Sequence, residues 1–212
     1  MIKMAKMKDL GLYFITDRKL SKNGIIKDVG AAVRAGIKIV QYREKELDTK
    51  RMVDEAFQIK QICDGKAVFL INDRVDVALA VNADGIHIGS EDMPYEHARK
   101  LLGKEKIIGL SSNSFEESLH NQELGADYTS IGPIFYTATK KDAGSPIGLE
   151  PIKKLTNELQ IPFVAIGGIN EYNVDEVLKA GAKNVAIISA IVAKDNVGNV
   201  IKEFMKKINH KK

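Results

Sequence analysis

Two threonines and a lysine follow a short apolar run in the second half of the chain. The segment from 131 to 141 reads IGPIFYTATKK and contains Thr137, Thr139 and Lys140. Hydroxyls donate hydrogen bonds and an ammonium group is a mobile point charge, so these side chains suit the oxygens of a phosphate. The same residue types are common in solvated turns. The position of the segment in the fold must therefore decide between an anion site and an ordinary turn.

Charged side chains follow other β-prone runs in the same manner. Gln41 and Arg43 lie two residues apart at the end of the second run, so both point to one face of a strand, and Lys45 follows them. Asp73 and Asp92 come after the third and fourth runs, where carboxylates on neighbouring strands could share one hard cation. Magnesium suits such a pair because it takes few protein carboxylates together with water and phosphate oxygens. Surface ion pairs and helix capping are the competing interpretations.

Small and polar residues end the remaining runs. Ser111 closes the fifth run, Gly167 and Gly168 close the seventh, and Ile188 and Ser189 close the eighth. Parallel barrels often bind a phosphate with backbone amides in the loops after strands seven and eight. Glycine lets the backbone approach such a ligand closely. A capping role for Ser111 and a tight turn for the glycines stay open as alternatives.

The elements that must position these residues alternate along the chain. Met52, Ala56, Ile59 and Cys63 recur at helical spacing, which is typical of the segments between the β-prone runs. This alternation predicts a single-domain α/β protein over residues 1–212, a (β/α)₈ TIM barrel with its site at the carboxyl ends of the strands and short, flexible, lysine-rich termini. An open doubly wound sheet is disfavoured, because no Gly-x-Gly-x-x-Gly follows the first run. The predicted strands are Leu12 to Ile15, Ile37 to Tyr42, Ala67 to Ile71, Gly85 to Ile88, Ile107 to Leu110, Tyr128 to Ile131, Phe163 to Ile166 and Asn184 to Ile188.

Composition excludes several classes of function. Cys63 is the single cysteine, which rules out an internal disulfide and a thiolate zinc site. The formal net charge of +4 arises from interspersed acids and bases, so nucleic acid is not an expected partner. No apolar run is long enough for a membrane span or signal peptide, and we expect a cytoplasmic protein without a membrane partner. His87 falls inside a strand, where a satisfied interior histidine is the expected role.

These segments, in this order, resemble the thiamine phosphate synthase family. LYFITDRKL, NADGIHIG and GADYTSIGPIF add to the resemblance, which extends over nearly the whole chain. The resemblance implies a TIM barrel that joins a pyrimidine methyl diphosphate to a thiazole phosphate and releases pyrophosphate, with Mg²⁺ as cofactor. The thiazole nitrogen carries no proton, so the task of such a site is to stabilise the leaving group and position the acceptor. A homo-oligomer is compatible with the sequence.

The resemblance also implies residue roles. The pyrimidine diphosphate side would comprise Gln41, Tyr42, Arg43, Glu44, Lys45, Asn72, Ser111 and Lys140, of which Arg43, Ser111 and Lys140 are expected to be catalytic. The thiazole phosphate would be bound by Thr137, Ala138, Thr139, Gly168, Ile188 and Ser189. Asp73 and Asp92 would hold the magnesium.

Three departures from the expected family pattern leave alternatives open. Arg74, Ser90 and Asn113 replace an aspartate, a glutamine and a histidine, and Arg74 is expected to draw on Asp73 and weaken its hold on magnesium. They motivate a non-catalytic regulatory relative as one alternative. A thiazole tautomerase is the other, but Pro133 occupies the place where that activity is expected to need a histidine.

Overall fold

The strands close into one parallel barrel. The computed structural model describes residue 7, residues 10–139 and residues 143–209. Strands pair in sequence order and the eighth returns to the first, which confirms the predicted (β/α)₈ barrel. The strands are β1 Leu12–Ile15, β2 Ile39–Tyr42, β3 Val68–Asn72, β4 Gly85–Ile88, β5 Ile107–Ser112, β6 Tyr128–Ile131, β7 Phe163–Ile166 and β8 Val185–Ile187.

Helices follow the strands and pack against their outer faces. In the described residues they are α1 Ile25–Arg34, α2 Thr49–Cys63, α3 Val75–Ala80, α4 Tyr95–Leu102, α5 Phe115–Leu124, α6 Glu150–Glu158, α7 Val174–Lys179, α8 Ser189–Val192 and α9 Val197–Asn209. The buried face of α2 is the predicted one, Met52, Ala56, Ile59 and Cys63. Within these ranges, none of the helices has the length and apolarity that crossing a membrane would require.

Local sequence signals set the helix ends. Ser114 caps α5 by accepting the Glu117 backbone N–H at 3.0 Å, so the capping role left open for Ser111 belongs to Ser114. Gly125 ends the same helix at a φ of 93°, a conformation that glycine adopts without strain. Lys206 and Lys207 belong to α9 rather than to a frayed end. Residues 1–6, 8, 9 and 210–212, the rest of the predicted lysine-rich termini, lie outside the described residues.

Side chains alternate between the inside and the outside of the barrel. Tyr13, Ile39, Leu70, Ile107 and Tyr128 form a buried inner cluster, whereas their neighbours in sequence pack beneath the helices. This period of two is the expected strand geometry. It decides which residues at the strand ends can face the interior.

Candidate functional site

A cavity of about 300 Å³ opens at the carboxyl ends of the strands. This is the end at which parallel barrels place their chemistry. Most of the predicted site residues line it, including Gln41, Arg43, Lys45, Asn72, Asp73, Asp92, Ser111, Thr137, Thr139, Gly168, Ile188 and Ser189. Ala138 is not part of this lining, and Lys140 lies outside the described residues.

The two remaining predicted residues, Tyr42 and Glu44, have their side chains elsewhere. Tyr42 is an outward position of β2, and its hydroxyl donates to Glu55 on α2 at 2.7 Å. The Glu44 side chain is buried, pairs with Arg18 at 2.5 Å and accepts the Glu46 backbone N–H at 2.7 Å. Burial alone would raise the pKa of Glu44, but the Arg18 and backbone hydrogen bonds outweigh it and lower the pKa. Both side chains therefore hold the loop after β2 in shape.

Arg43 enters the cavity from a backbone that is itself fixed. The Thr16 hydroxyl accepts the Arg43 backbone N–H at 2.8 Å and donates to the Arg43 carbonyl at 3.1 Å. The guanidinium Nη1 donates to Asp17 at 3.0 Å, with the Arg43 side chain 20 % exposed. A guanidinium carries donors on two further nitrogens. Arg43 is thus held by one terminal nitrogen of its guanidinium group, while the side chain lines the cavity.

Asp73 and Asp92 come together at the ends of β3 and β4. Burial and the hydrogen bond with the Asp73 carboxyl raise the pKa of Asp92, although the Gly89 backbone N–H donates to Asp92 at 2.7 Å. Asp73 adopts a φ of 62°, and strained backbone of this kind is frequent at functional sites. Neither carboxylate caps the following helix. Two adjacent carboxyl groups fit the donor set that a divalent cation would use.

The ammonium of Lys45 pairs with Asp73 at this position. Arg74, which was expected to draw on Asp73, instead bonds Asp76 and donates to the Thr49 hydroxyl at 2.8 Å. The Arg74 side chain is therefore directed away from the carboxylate pair. Ser90 and Asn113, the other two departures, line the cavity.

The loops after β6 and β7 pack tightly against each other. Gly167 and Gly168 have φ values of 100° and 65°. A Cβ at Gly168 would lie 2.4 Å from the Tyr136 carbonyl oxygen, and one at Gly167 would lie 2.5 Å from Pro133 Cα. Glycine is required here by both backbone conformation and space. The Thr139 backbone N–H donates to the Thr137 hydroxyl at 3.2 Å, so this segment is a compact turn on the cavity wall.

Three interior residues adjoin the site without having been predicted as part of it. Tyr13 and His87 line the base of the cavity, and the Tyr128 hydroxyl lies 2.8 Å from each of them. His87 Nε2 lies 3.0 Å from the Ser111 hydroxyl. His87 is thus the satisfied interior histidine expected from the sequence, but it contacts a predicted site residue. The alternation of side chains along a strand would have identified all three, because each lies two residues before a position that lines the cavity, on the same face of its strand.

The fold and the cavity define a (β/α)₈-barrel enzyme whose site suits anionic ligands. Comparison with known proteins then specifies the family. The family model described as thiamine monophosphate synthase matches residues 12–191, and the chain belongs to that family.

Similar proteins cover the chain almost completely. A thiamine-phosphate synthase of Methanosarcina barkeri is 53% identical, over 96% of this chain and 92% of that protein. A thiamine-phosphate synthase of Chloroflexus aurantiacus is 45% identical, over 92% of this chain and 90% of its own. Among solved structures, a thiamine phosphate pyrophosphorylase from Pyrococcus furiosus superposes with a TM-score of 0.89 at 39% identity, covering 98% of each chain.

Proposed function

We propose that this enzyme is a thiamine phosphate synthase that joins a pyrimidine methyl diphosphate to a thiazole phosphate and releases pyrophosphate. The observation that carries the proposal is a single cavity that gathers Arg43, Lys45, Asp73, Asp92 and Ser111 from four different strand ends. Family membership and the identity of the relatives support the same reaction. The enzyme is a transferase.

The reaction needs charge stabilisation more than proton transfer. When the diphosphate departs, the pyrimidine methylene becomes a cation that its amino-substituted ring stabilises. The thiazole nitrogen then attacks through its lone pair, and no proton has to be removed. Arg43 and Ser111 would donate to the leaving diphosphate, and each such donor contributes on the order of 2 to 4 kcal/mol to catalysis by analogy with oxyanion holes. Lys140, which lies outside the described residues, is proposed for the same task.

Substrate contacts divide between the two sides of the cavity. We assign the pyrimidine diphosphate to Gln41, Arg43, Lys45, Asn72, Ser111 and Lys140, and the thiazole phosphate to Thr137, Ala138, Thr139, Gly168, Ile188 and Ser189. The backbone at Tyr42 and Glu44 would contribute only through the shape of the loop after β2.

Asp73 and Asp92 would hold a Mg²⁺ ion. The pair fits because burial and the neighbouring Asp73 carboxyl raise the pKa of Asp92, and a cation bound between the two groups would offset both effects. Among residues 7, 10–139 and 143–209, no set of three or more His, Cys, Asp or Glu side chains converges as a metal site, and this suits an ion completed by substrate oxygens and water. When bound, magnesium would neutralise negative charge on the diphosphate. With magnesium bound at Asp73, the Lys45 ammonium would leave its ion pair with Asp73 and bind the diphosphate instead.

The deciding experiment incubates the purified protein with both substrates, first with Mg²⁺ and then with a chelator. We expect thiamine phosphate and pyrophosphate in equal amounts only when Mg²⁺ is present. Absence of a magnesium-dependent coupling product would refute the proposal. A product from the thiazole substrate alone would indicate the tautomerase alternative, which Pro133 on the cavity wall disfavours because proline has no titratable group.

A further inference from the structure

A chain of hydrogen bonds crosses the barrel interior beneath the cavity. Gln41 Nε2 donates to the Tyr13 hydroxyl at 2.8 Å, and the Tyr13 and Tyr128 hydroxyls lie 2.8 Å apart. The Tyr128 hydroxyl lies 2.8 Å from His87 Nδ1, and His87 Nε2 lies 3.0 Å from Ser111 Oγ. We call these five residues the interior relay. It joins two predicted substrate contacts, Gln41 and Ser111, that stand on different strands.

The barrel leaves room for the central member of the relay. Gly109 pairs with Tyr128 on one side and with His87 on the other. A Cβ at Gly109 would lie 2.1 Å from the Tyr128 ring. The ring can therefore extend across β5 and reach His87 on β4, with ring centroids 5.4 Å apart. Tyr128 is 0% exposed.

The donor at one end sets the direction of the relay. An amide nitrogen can only donate, so the Tyr13 hydroxyl accepts from Gln41. We infer that its own proton goes to the Tyr128 oxygen 2.8 Å away, since a buried hydroxyl proton needs an acceptor. Tyr128 then donates to His87 Nδ1, and the neutral imidazole carries its proton on Nε2. Burial raises the pKa of both tyrosines, which keeps these two hydroxyls protonated as the relay requires.

The last step of the relay determines what Ser111 can do. In that tautomer Nε2–H of His87 donates to Ser111 Oγ at 3.0 Å, and the Ser130 hydroxyl is a second neighbour at 3.4 Å. A serine hydroxyl that accepts this bond keeps its own proton for another partner. Ser111 lines the cavity. Its proton is thereby available to an acceptor bound there.

We propose that Tyr13, Tyr128 and His87 are positioning residues that fix Ser111 as a hydrogen-bond donor toward the anionic group of the pyrimidine diphosphate. In this arrangement His87 is a neutral connector and not a general base. The proposal deepens the proposed function, and its kinetic test rests on that function. A spectroscopic test in the absence of substrate does not.

The spectroscopic test determines the His87 tautomer by ¹H–¹⁵N correlation on protein labelled at histidine nitrogen. The signal is assigned by its loss in His87→Asn. We expect the Nε2–H tautomer in the unmodified enzyme and a mixture of tautomers in Tyr128→Phe. Tyr95→Phe is the matched control, because the Tyr95 hydroxyl donates to the Gly125 carbonyl at 2.6 Å on the outside of the barrel. An Nδ1–H or doubly protonated His87 in the unmodified enzyme would overturn the proposal.

The kinetic test is a double-mutant cycle between Tyr128 and Ser111. Tyr128→Phe should lower kcat/KM for the pyrimidine diphosphate about fivefold, the effect of one neutral hydrogen bond, and leave KM for the thiazole phosphate unchanged. The same substitution made in a Ser111→Ala background should have no further effect, because the relay acts through Ser111. An equal loss in both backgrounds would show a merely structural role and overturn the proposal. If the unmodified enzyme makes no coupling product, the proposed function fails, and the tautomer alone decides the relay.

Discussion

Among the described residues, the acidic and basic side chains that line the cavity all follow β2, β3 and β4, whereas the half formed by β6, β7 and β8 is lined by glycine backbone, hydroxyls and apolar side chains. In the first half the charges are already engaged with each other, as in the pairs Arg43–Asp17 and Lys45–Asp73. In the second half, close packing of the loops fixes the shape. We call these the charged half and the backbone half.

The charged half and the backbone half are thus prepared for ligands by different means. Ion pairs hold the charged side chains in place before substrate arrives, and the partners can be exchanged when a diphosphate binds. Backbone groups need no such exchange, because their positions follow from φ angles and steric contacts. Substitutions in the charged half should therefore reduce the rate of chemistry, and those in the backbone half should reduce binding of one substrate.

The largest effect is expected from Arg43→Gln. The amide can still donate to Asp17, so the fold is retained, but the charge on the leaving group loses a donor. We expect kcat/KM to fall about 100- to 1,000-fold, measured as coupling rate at saturating Mg²⁺. Arg74→Gln is the matched control, since Arg74 bonds Asp76 and Thr49. Equal losses in the two variants would contradict the proposed role of Arg43 at the leaving group.

Asp92→Asn should have the next largest effect and should act through the metal. Removing one carboxylate of the proposed magnesium site should weaken Mg²⁺ binding and raise the Mg²⁺ concentration for half-maximal rate by about tenfold or more. Titration of the coupling rate with Mg²⁺ measures this. Glu91→Gln removes the exposed neighbouring carboxylate and should leave the titration close to that of the unmodified enzyme. An unchanged titration in Asp92→Asn would remove Asp92 from the metal site.

Gly168→Ala tests the backbone half. The new Cβ would lie 2.4 Å from the Tyr136 carbonyl oxygen, and the alanine would have to adopt a φ of 65°. The two loops must therefore move apart. Strain of this kind costs about 1 to 3 kcal/mol, and we expect KM for the thiazole phosphate to rise about tenfold with KM for the pyrimidine diphosphate unchanged. Gly103→Ala shares the positive φ, 71°, but has no neighbour within 4 Å of its new Cβ. Its effect should be confined to stability.

Glu44→Gln should have the smallest effect on rate and a measurable effect on acid stability. The folded-state pKa of Glu44 is lowered, so its stabilisation is complete above the ordinary glutamate pKa and is lost as the pH falls through the lower folded value. We expect a loss of about 2 kcal/mol in the free energy of unfolding near neutral pH, and a smaller difference from the unmodified protein in strong acid. Denaturant unfolding across pH measures both. The partly exposed Glu46, changed to Gln, is the control.

Strand order and the location of the site could be predicted from the sequence because both follow from local patterns. Short β-prone runs, helical periodicity and glycines at helix ends repeat along the chain, and a parallel barrel gathers its strand ends at one rim. The strand bounds agree within one or two residues in all eight cases. These features need no knowledge of contacts between distant residues.

Partners of individual side chains could not be predicted, since they depend on contacts between distant segments. Nothing in the sequence near Glu44 indicates that its carboxylate will pair with Arg18. Likewise, nothing near Arg74 indicates that its partner is Asp76 rather than Asp73. Tyr128 reads as an ordinary β-strand residue. Its role appears only when Gly109 on the neighbouring strand opens a path to His87.

The missing side chain at Gly109 also constrains how this barrel can change over generations. Because any Cβ there would occupy the space of the Tyr128 ring, a larger residue at 109 is tolerated only after 128 has become smaller. The two positions are thus epistatic, with a required order of substitution. A chain that keeps the tyrosine in this geometry must keep the glycine, so a position on β5 without a side chain is constrained by its neighbour on β6.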